Sequence, residues 1–227
     1  MSWRLTCINY QEACDLPAKM HQRILALKYE VTVADELGKD AIDEVYYGAT
    51  ALAWKLGQHS TGSSAQAFTD AFDPITIGHN DYWTYCGASS STVFECSDGV
   101  YLTDRTTVHE LGHMFGARHS GTRLSDELEE EGAILAEDGT QIAGLKCDNN
   151  VCSYERTTLG YLDTEWPGLQ HGTEWSDFTG SSSEDFADMM LNWVYEDNYD
   201  DTGYGQLRSQ WFDALMVSEG IWTNVGP

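Results

Sequence analysis

His109-Glu110-Leu111-Gly112-His113 is the stretch on which the reading of this chain turns. On a helix, residues four apart lie on one face, so both imidazoles can point at a single ion. Glu110 stands beside the first of them, where its carboxylate can take a proton from a water activated by that ion. The spacing is H-E-x-x-H, and its chemistry needs two neutral nitrogen donors and an adjacent base. With seven His in 227 residues, an accidental match is rare. An ordinary amphipathic helix requires neither the pair nor the acid between them.

Working outward, Asp104 is expected to cap this helix, with Val108, Leu111 and Phe115 as its buried stripe. Residues 74–103 read as short strands, Pro74 to Ile77, Tyr82 to Tyr85, Thr92 to Phe94 and Val100 to Leu102, punctuated by Gly, Asn and Ser. Further upstream come a first strand over 4–10, a helix from Leu16 to Glu30 begun near Pro17, and a longer helix over about 35–57. Ser60 to Ser64 reads as a polar linker. Downstream, residues 120–183 are loop-rich, with one acidic helical piece around 125–136. Ser183 then caps a second amphipathic helix over about 184–196, and a last helix is expected near 204–217. The class is α+β: a small mixed sheet, then the His-bearing helix, then a second helix able to bring a ligand. Residues 1–227 form one unit, with a sublobe over 1–118 facing another over 119–227 across a cleft.

Composition narrows the partners. Twelve Lys and Arg against 37 Asp and Glu give a formal net charge of −25, which repels phosphate backbones and anionic lipid. Nucleic acid and membranes are therefore not expected partners, and no apolar run approaches a membrane span. Apolar content of 41% with 12% aromatics indicates a packed core, and a monomer is expected. The six Cys favour an oxidising, secreted setting, and sequence neighbours favour the pairs Cys7–Cys14, Cys86–Cys96 and Cys147–Cys152. No C-x-x-C pair suggests a second, structural zinc site. The acidic runs Asp126 to Glu131 and Asp197 to Asp201 could hold calcium, but neither carries an EF-hand frame, and solvated surface is the default there.

Two His leave a catalytic zinc one protein ligand short, and two candidates present themselves. The string running on from His113 through Gly116 to His119 fits H-E-x-x-H-x-x-G-x-x-H and resembles the metzincin signature. That resemblance implies a helix broken at the glycine, with His119 as third ligand; Gly116 could take the positive φ such a break needs. Metzincins also have a Met-turn. Met189 and Met190 instead sit in a helical pattern, and Asn150-Val151-Cys152-Ser153-Tyr154, similar in outline to that turn, has Cys152 where the Met belongs.

The alternative, Glu184-Asp185-Phe186-Ala187-Asp188, resembles the glutamate helix of gluzincin metallopeptidases and follows His113 by about 70 residues. It implies Glu184 as third ligand and Asp188, one turn on, as the acid orienting a ligating His. Glu184 is preferred because one helix then supplies both groups. The resemblance covers about residues 104–217, mainly at the two helices. It implies a zincin-like fold and a zinc-dependent endopeptidase acting on protein or peptide, with one zinc ion and Glu110 as general base. A secreted toxin or effector with one narrow target, or a catalytically silent zincin-fold binding protein, are the alternatives. Tyr161, Tyr195, Tyr199 and His171 are all candidates for stabilising an oxyanion, and nothing in the sequence chooses among them.

Overall fold

The computed structural model describes residues 18–82, 86–97, 102–117, 123–149, 151–156, 159, 182–196 and 203–222. Helix α1 (Ala18–Tyr29) leads into β1 (Val31–Val33), a 3-10 turn at Asp35–Leu37 and the long helix α2 (Gly38–Leu56). A short helix, α3 (Ser64–Ala71), precedes β2 (Ile75–His79), β3 (Cys86–Ala88) and β4 (Val93–Cys96). Next come α4 (Asp104–Gly116), a 3-10 stretch at Leu124–Glu129, and the strands β5 (Ile134–Leu135), β6 (Gln141–Asp148) and β7 (Val151–Arg156). Helices α5 (Ser182–Tyr195) and α6 (Tyr204–Ser218) complete the described chain.

The first sheet is mixed, as its class required. Its order is β1-β2-β4-β3, with β1, β2 and β4 parallel and β3 antiparallel to β4. Ile75 and Ile77 are buried and Thr76 between them is exposed, the alternation of a sheet covered on one face. Helix α1 packs against β1, and α4 against β3 and β4. Cys86 and Cys96 lie opposite one another across β3 and β4 and are disulfide-bonded. The Cys147–Cys152 disulfide likewise joins opposed residues of β6 and β7. Both pairings follow the expectation; Cys7 and Cys14 lie outside the described residues, as does the strand expected over 4–10.

The structure corrects four local expectations. Residues 64–71 are a helix rather than the end of a linker, begun by Ser63, whose hydroxyl accepts from the Gln66 amide at 3.2 Å. Its buried face is only Ala67, Phe68 and Ala71, too brief a stripe to read as a period. The loop-rich segment holds an antiparallel sheet, β5-β6-β7, where Asn149 turns the hairpin at φ 51°. The acidic helical piece shortens to the 3-10 stretch at Leu124–Glu129, because Ile134 and Leu135 pair as a strand. Thr103, not Asp104, caps α4: its hydroxyl accepts from the Thr106 amide at 3.0 Å. Asp104 becomes a first-turn acid, favourable to the helix dipole.

Helix α4 runs through the middle of the packing. On one side α2 crosses it at Gly48, where an added Cβ would lie 2.6 Å from the Asp104 carbonyl oxygen. On the other side lies α5. A chain of rings, Phe72, Phe115, Phe186, Phe212, Trp193 and Trp222, with successive centroids 5.0–6.3 Å apart, ties the sheet side to the last helix. The Trp222 indole N–H donates to the Leu56 carbonyl at 2.7 Å and closes that end.

A buried ion pair anchors the start of α5. Arg208, wholly buried, reaches Asp185 at 3.2 Å and donates to the carbonyls of Ile142 (3.0 Å) and Leu159 (2.8 Å). Asp185, also wholly buried, accepts from the Tyr154 hydroxyl at 2.6 Å. Removing one partner strands the other charge away from water. Arg208→Ala is expected to cost about 3–5 kcal/mol of stability, read from denaturant unfolding; a loss under 1 kcal/mol would mean the pair is solvated in the folded protein. No described helix is long and apolar enough to cross a membrane.

Candidate metal centre

Two helices build the site because two glycines let them touch. At Gly112, midway between the His residues, an added Cβ would lie 2.8 Å from the Cα of Ala187 on α5. At Gly116 it would lie 3.3 Å from the Phe186 ring. Neither glycine is needed for a left-handed turn here. Gly116 is the last residue of α4, followed by Ala117 at φ −93°, and it is not among the positive-φ glycines. The helix ends at Gly116 without the positive φ expected of it, and the contact with Phe186 gives the missing side chain a packing reason.

That close approach puts three donors at one point. His109 Nε2 and His113 Nε2 are 3.0 Å apart. Glu184 brings Oε2 to 3.4 Å from His109 Nε2 and Oε1 to 3.3 Å from His113 Nε2. Among the described residues, these three side chains form a group able to hold a metal ion. Ligands at about 2.0–2.1 Å from a tetrahedral ion stand about 3.3 Å from one another, close to the 3.0–3.4 Å separations found. The far sides of both rings are occupied. His109 Nδ1 donates to Asp188 Oδ1 at 2.8 Å, and His113 Nδ1 pairs with the Ser183 hydroxyl at 3.0 Å. With both Nδ1 atoms partnered on the far side, the two Nε2 atoms and a carboxylate face one another. Two imidazole nitrogens and a carboxylate converging in this way could hold a metal ion between them.

The electrostatics agree. His109 is fully buried, and burial alone would push its pKa down. The charge and hydrogen bond of Asp188, the hydrogen bond of Glu184 and the charge of Glu110 outweigh that and hold it up at about 10. The same acids that favour a proton there favour a metal ion. A pH signature follows for metal-stripped protein. A folded pKa near 10 above an unfolded value near 6.5 gives stability fully present below about pH 6.5 and lost as pH rises through about 10. The melting temperature of chelator-treated protein is expected to fall across that window relative to zinc-saturated protein, whose Nε2 carries no proton. Parallel curves would sink this assignment.

Gly112→Ala tests the helix contact. The added methyl group must push α5 away, at a cost of about 1–3 kcal/mol, and should weaken metal binding along with stability. Equal zinc affinity in the variant would show that the ligands do not depend on the contact.

The remaining expected residues fall into place as follows. Glu110 is buried on α4, in the turn between the two His. Met189 and Met190 are buried within α5, and Cys152 is in the β7 disulfide, so neither segment makes a Met-turn. The Tyr195 hydroxyl donates to Asp104 Oδ2 at 3.0 Å, at the far end of α4 from His113. His119, Tyr161, His171 and Tyr199 lie outside the described residues. Ser183 is the residue the sequence reading placed wrongly. Expected as a cap, it lies inside the first turn of α5 and its hydroxyl is turned to His113. Its position next to Glu184 was the available signal. Compared with known proteins, the chain matches no family model, no curated protein and no solved structure.

Proposed function

We propose that this protein is a zinc-dependent endopeptidase of zincin-like fold. The observation that carries the reading is the convergence of His109, His113 and Glu184 on one point, with Glu110 in the helical turn between the two His. The mixed sheet, its antiparallel strand β3 packed against α4, and the second helix α5 crossing α4 support the same reading. His109, His113 and Glu184 would hold the ion, and Asp188 would keep the His109 ring turned toward it. When bound, zinc supplies a polarising charge for the scissile carbonyl and lowers the pKa of a coordinated water toward about 7.

The chain's own groups would then do the following. Glu110 accepts a proton from the attacking water and returns it to the departing amine. Because Glu110 is itself buried, its carboxylate keeps a defined position relative to the water. Asp188, buried and hydrogen-bonded to His109, offsets the charge gathered at the site. Strand β3, at the edge of its sheet, could pair with an extended stretch of substrate. The disulfides fit an extracellular setting.

The test is hydrolysis of an unfolded protein such as casein, with and without a chelator. Chelator-sensitive cleavage restored by zinc supports the reading. Stoichiometric zinc without cleavage of casein or of any native protein would point to a silent zincin-fold binding protein instead.

A further inference from the structure

The first turn of α5 gives each of four consecutive side chains a partner elsewhere in the fold. Ser182 Oγ donates to Glu129 at 2.6 Å, Ser183 meets His113, Glu184 faces both imidazole Nε2 atoms, and Asp185 takes Arg208 and Tyr154. The two His that Glu184 faces are held unequally. His109, wholly buried, has an anionic, buried carboxylate behind it. His113, whose side chain is 15% exposed, has the neutral hydroxyl of Ser183 behind it among the described residues.

Resting on the metal reading above, we propose that Ser183 is a positioning residue for the metal centre: it accepts the Nδ1 proton of His113 and thereby fixes the ring with Nε2 toward the ion. A neutral imidazole carries one ring proton, and the nitrogen that lacks it is the donor to a metal. With the hydroxyl 3.0 Å from Nδ1 accepting its proton, the Nε2 lone pair is left directed at His109 Nε2 and Glu184. The ring also loses its freedom to turn about its outer bond. A hydroxyl does this without adding charge, and the site already gathers the carboxylates of Glu184, Asp188 and Glu110. A second carboxylate behind His113 would add a fourth. Ser183 is able to serve because Ser182 and Asp185, on either side, pin the turn that carries it.

The experiment uses the full chain as wild type, Ser183→Ala and Ser183→Thr. Zinc affinity is measured by competition with a chromophoric chelator, and the ring N–H protons of the zinc-loaded proteins are followed by nitrogen-correlated proton NMR. Wild type should give two slowly exchanging ring N–H signals, one held by Asp188 and one by Ser183. Ser183→Ala should bind zinc about tenfold more weakly, lose the His113 signal and keep that of His109, which serves as the internal check on folding. Ser183→Thr, retaining the hydroxyl, should restore both. Equal zinc affinity and an unchanged His113 signal in Ser183→Ala would overturn the proposal and leave the metal reading standing. A wild-type protein that takes up no zinc would overturn both.

Discussion

Glu110→Gln should leave zinc content unchanged and lower peptide hydrolysis by about 10²–10⁴-fold. Glutamine keeps nearly the shape and volume of the buried glutamate, so the packing of α4 is preserved. It cannot accept a proton, so the attacking water must lose its proton to bulk solvent, and the departing amine must leave without a poised acid. The proposed ligands keep their own supports, since Asp188 and Ser183 hold the His109 and His113 rings from behind. The measurement is turnover on a peptide substrate alongside metal content of the same preparation. A variant that hydrolyses at the wild-type rate would remove Glu110 from the mechanism. Lost zinc together with lost turnover would make Glu110 a ligand or a structural support for one.

What the sequence made legible was whatever depends on neighbours along the chain. The period of Val108, Leu111 and Phe115 marked α4, and the run from Phe186 to Val194 marked α5, because a helix repeats its buried face every three or four residues. The two disulfides among the described residues were legible because a hairpin brings close neighbours together. What stayed hidden depends on contacts between distant segments. Gly112 reads as an indifferent position within H-E-x-x-H; only the arrival of Ala187 makes a side chain there intolerable. Gly116 permits a positive φ, yet α4 ends there without one, and the contact with Phe186 is a reason for the glycine that the sequence did not display. Ser183 has the chemistry of a cap wherever it stands, and its turn toward His113 is set by how α5 lies on α4. The strands β6 and β7 alternate weakly in an acidic surrounding, so their pairing was masked by a composition that resembles loop.

The choice between Glu184 and His119 as third ligand is decided by removing each in turn. Three protein ligands share the binding energy of a zinc site, and for sites worth about 10–16 kcal/mol in total each ligand accounts for about 3–5 kcal/mol, or about two to four orders of magnitude in affinity. Glu184→Ala is expected to lose that much, and to lose chelator-sensitive hydrolysis with it, whereas His119→Ala should retain its metal. The expectation rests on distances: Glu184 already stands 3.3 and 3.4 Å from the two Nε2 atoms, on the helix that also carries Asp188. Glu184→Gln refines the test. It keeps the size of the side chain and removes its charge, so if Glu184 merely packs beside the His pair, Gln should bind zinc as tightly as Glu. If it is a ligand, the neutral amide oxygen is a poorer donor and affinity should fall between wild type and Ala. Zinc retained by Glu184→Ala and lost by His119→Ala would reverse the assignment. It would then require the chain after Ala117 to turn back toward α4, with Glu184 left as an acid at the start of α5 that favours the helix dipole.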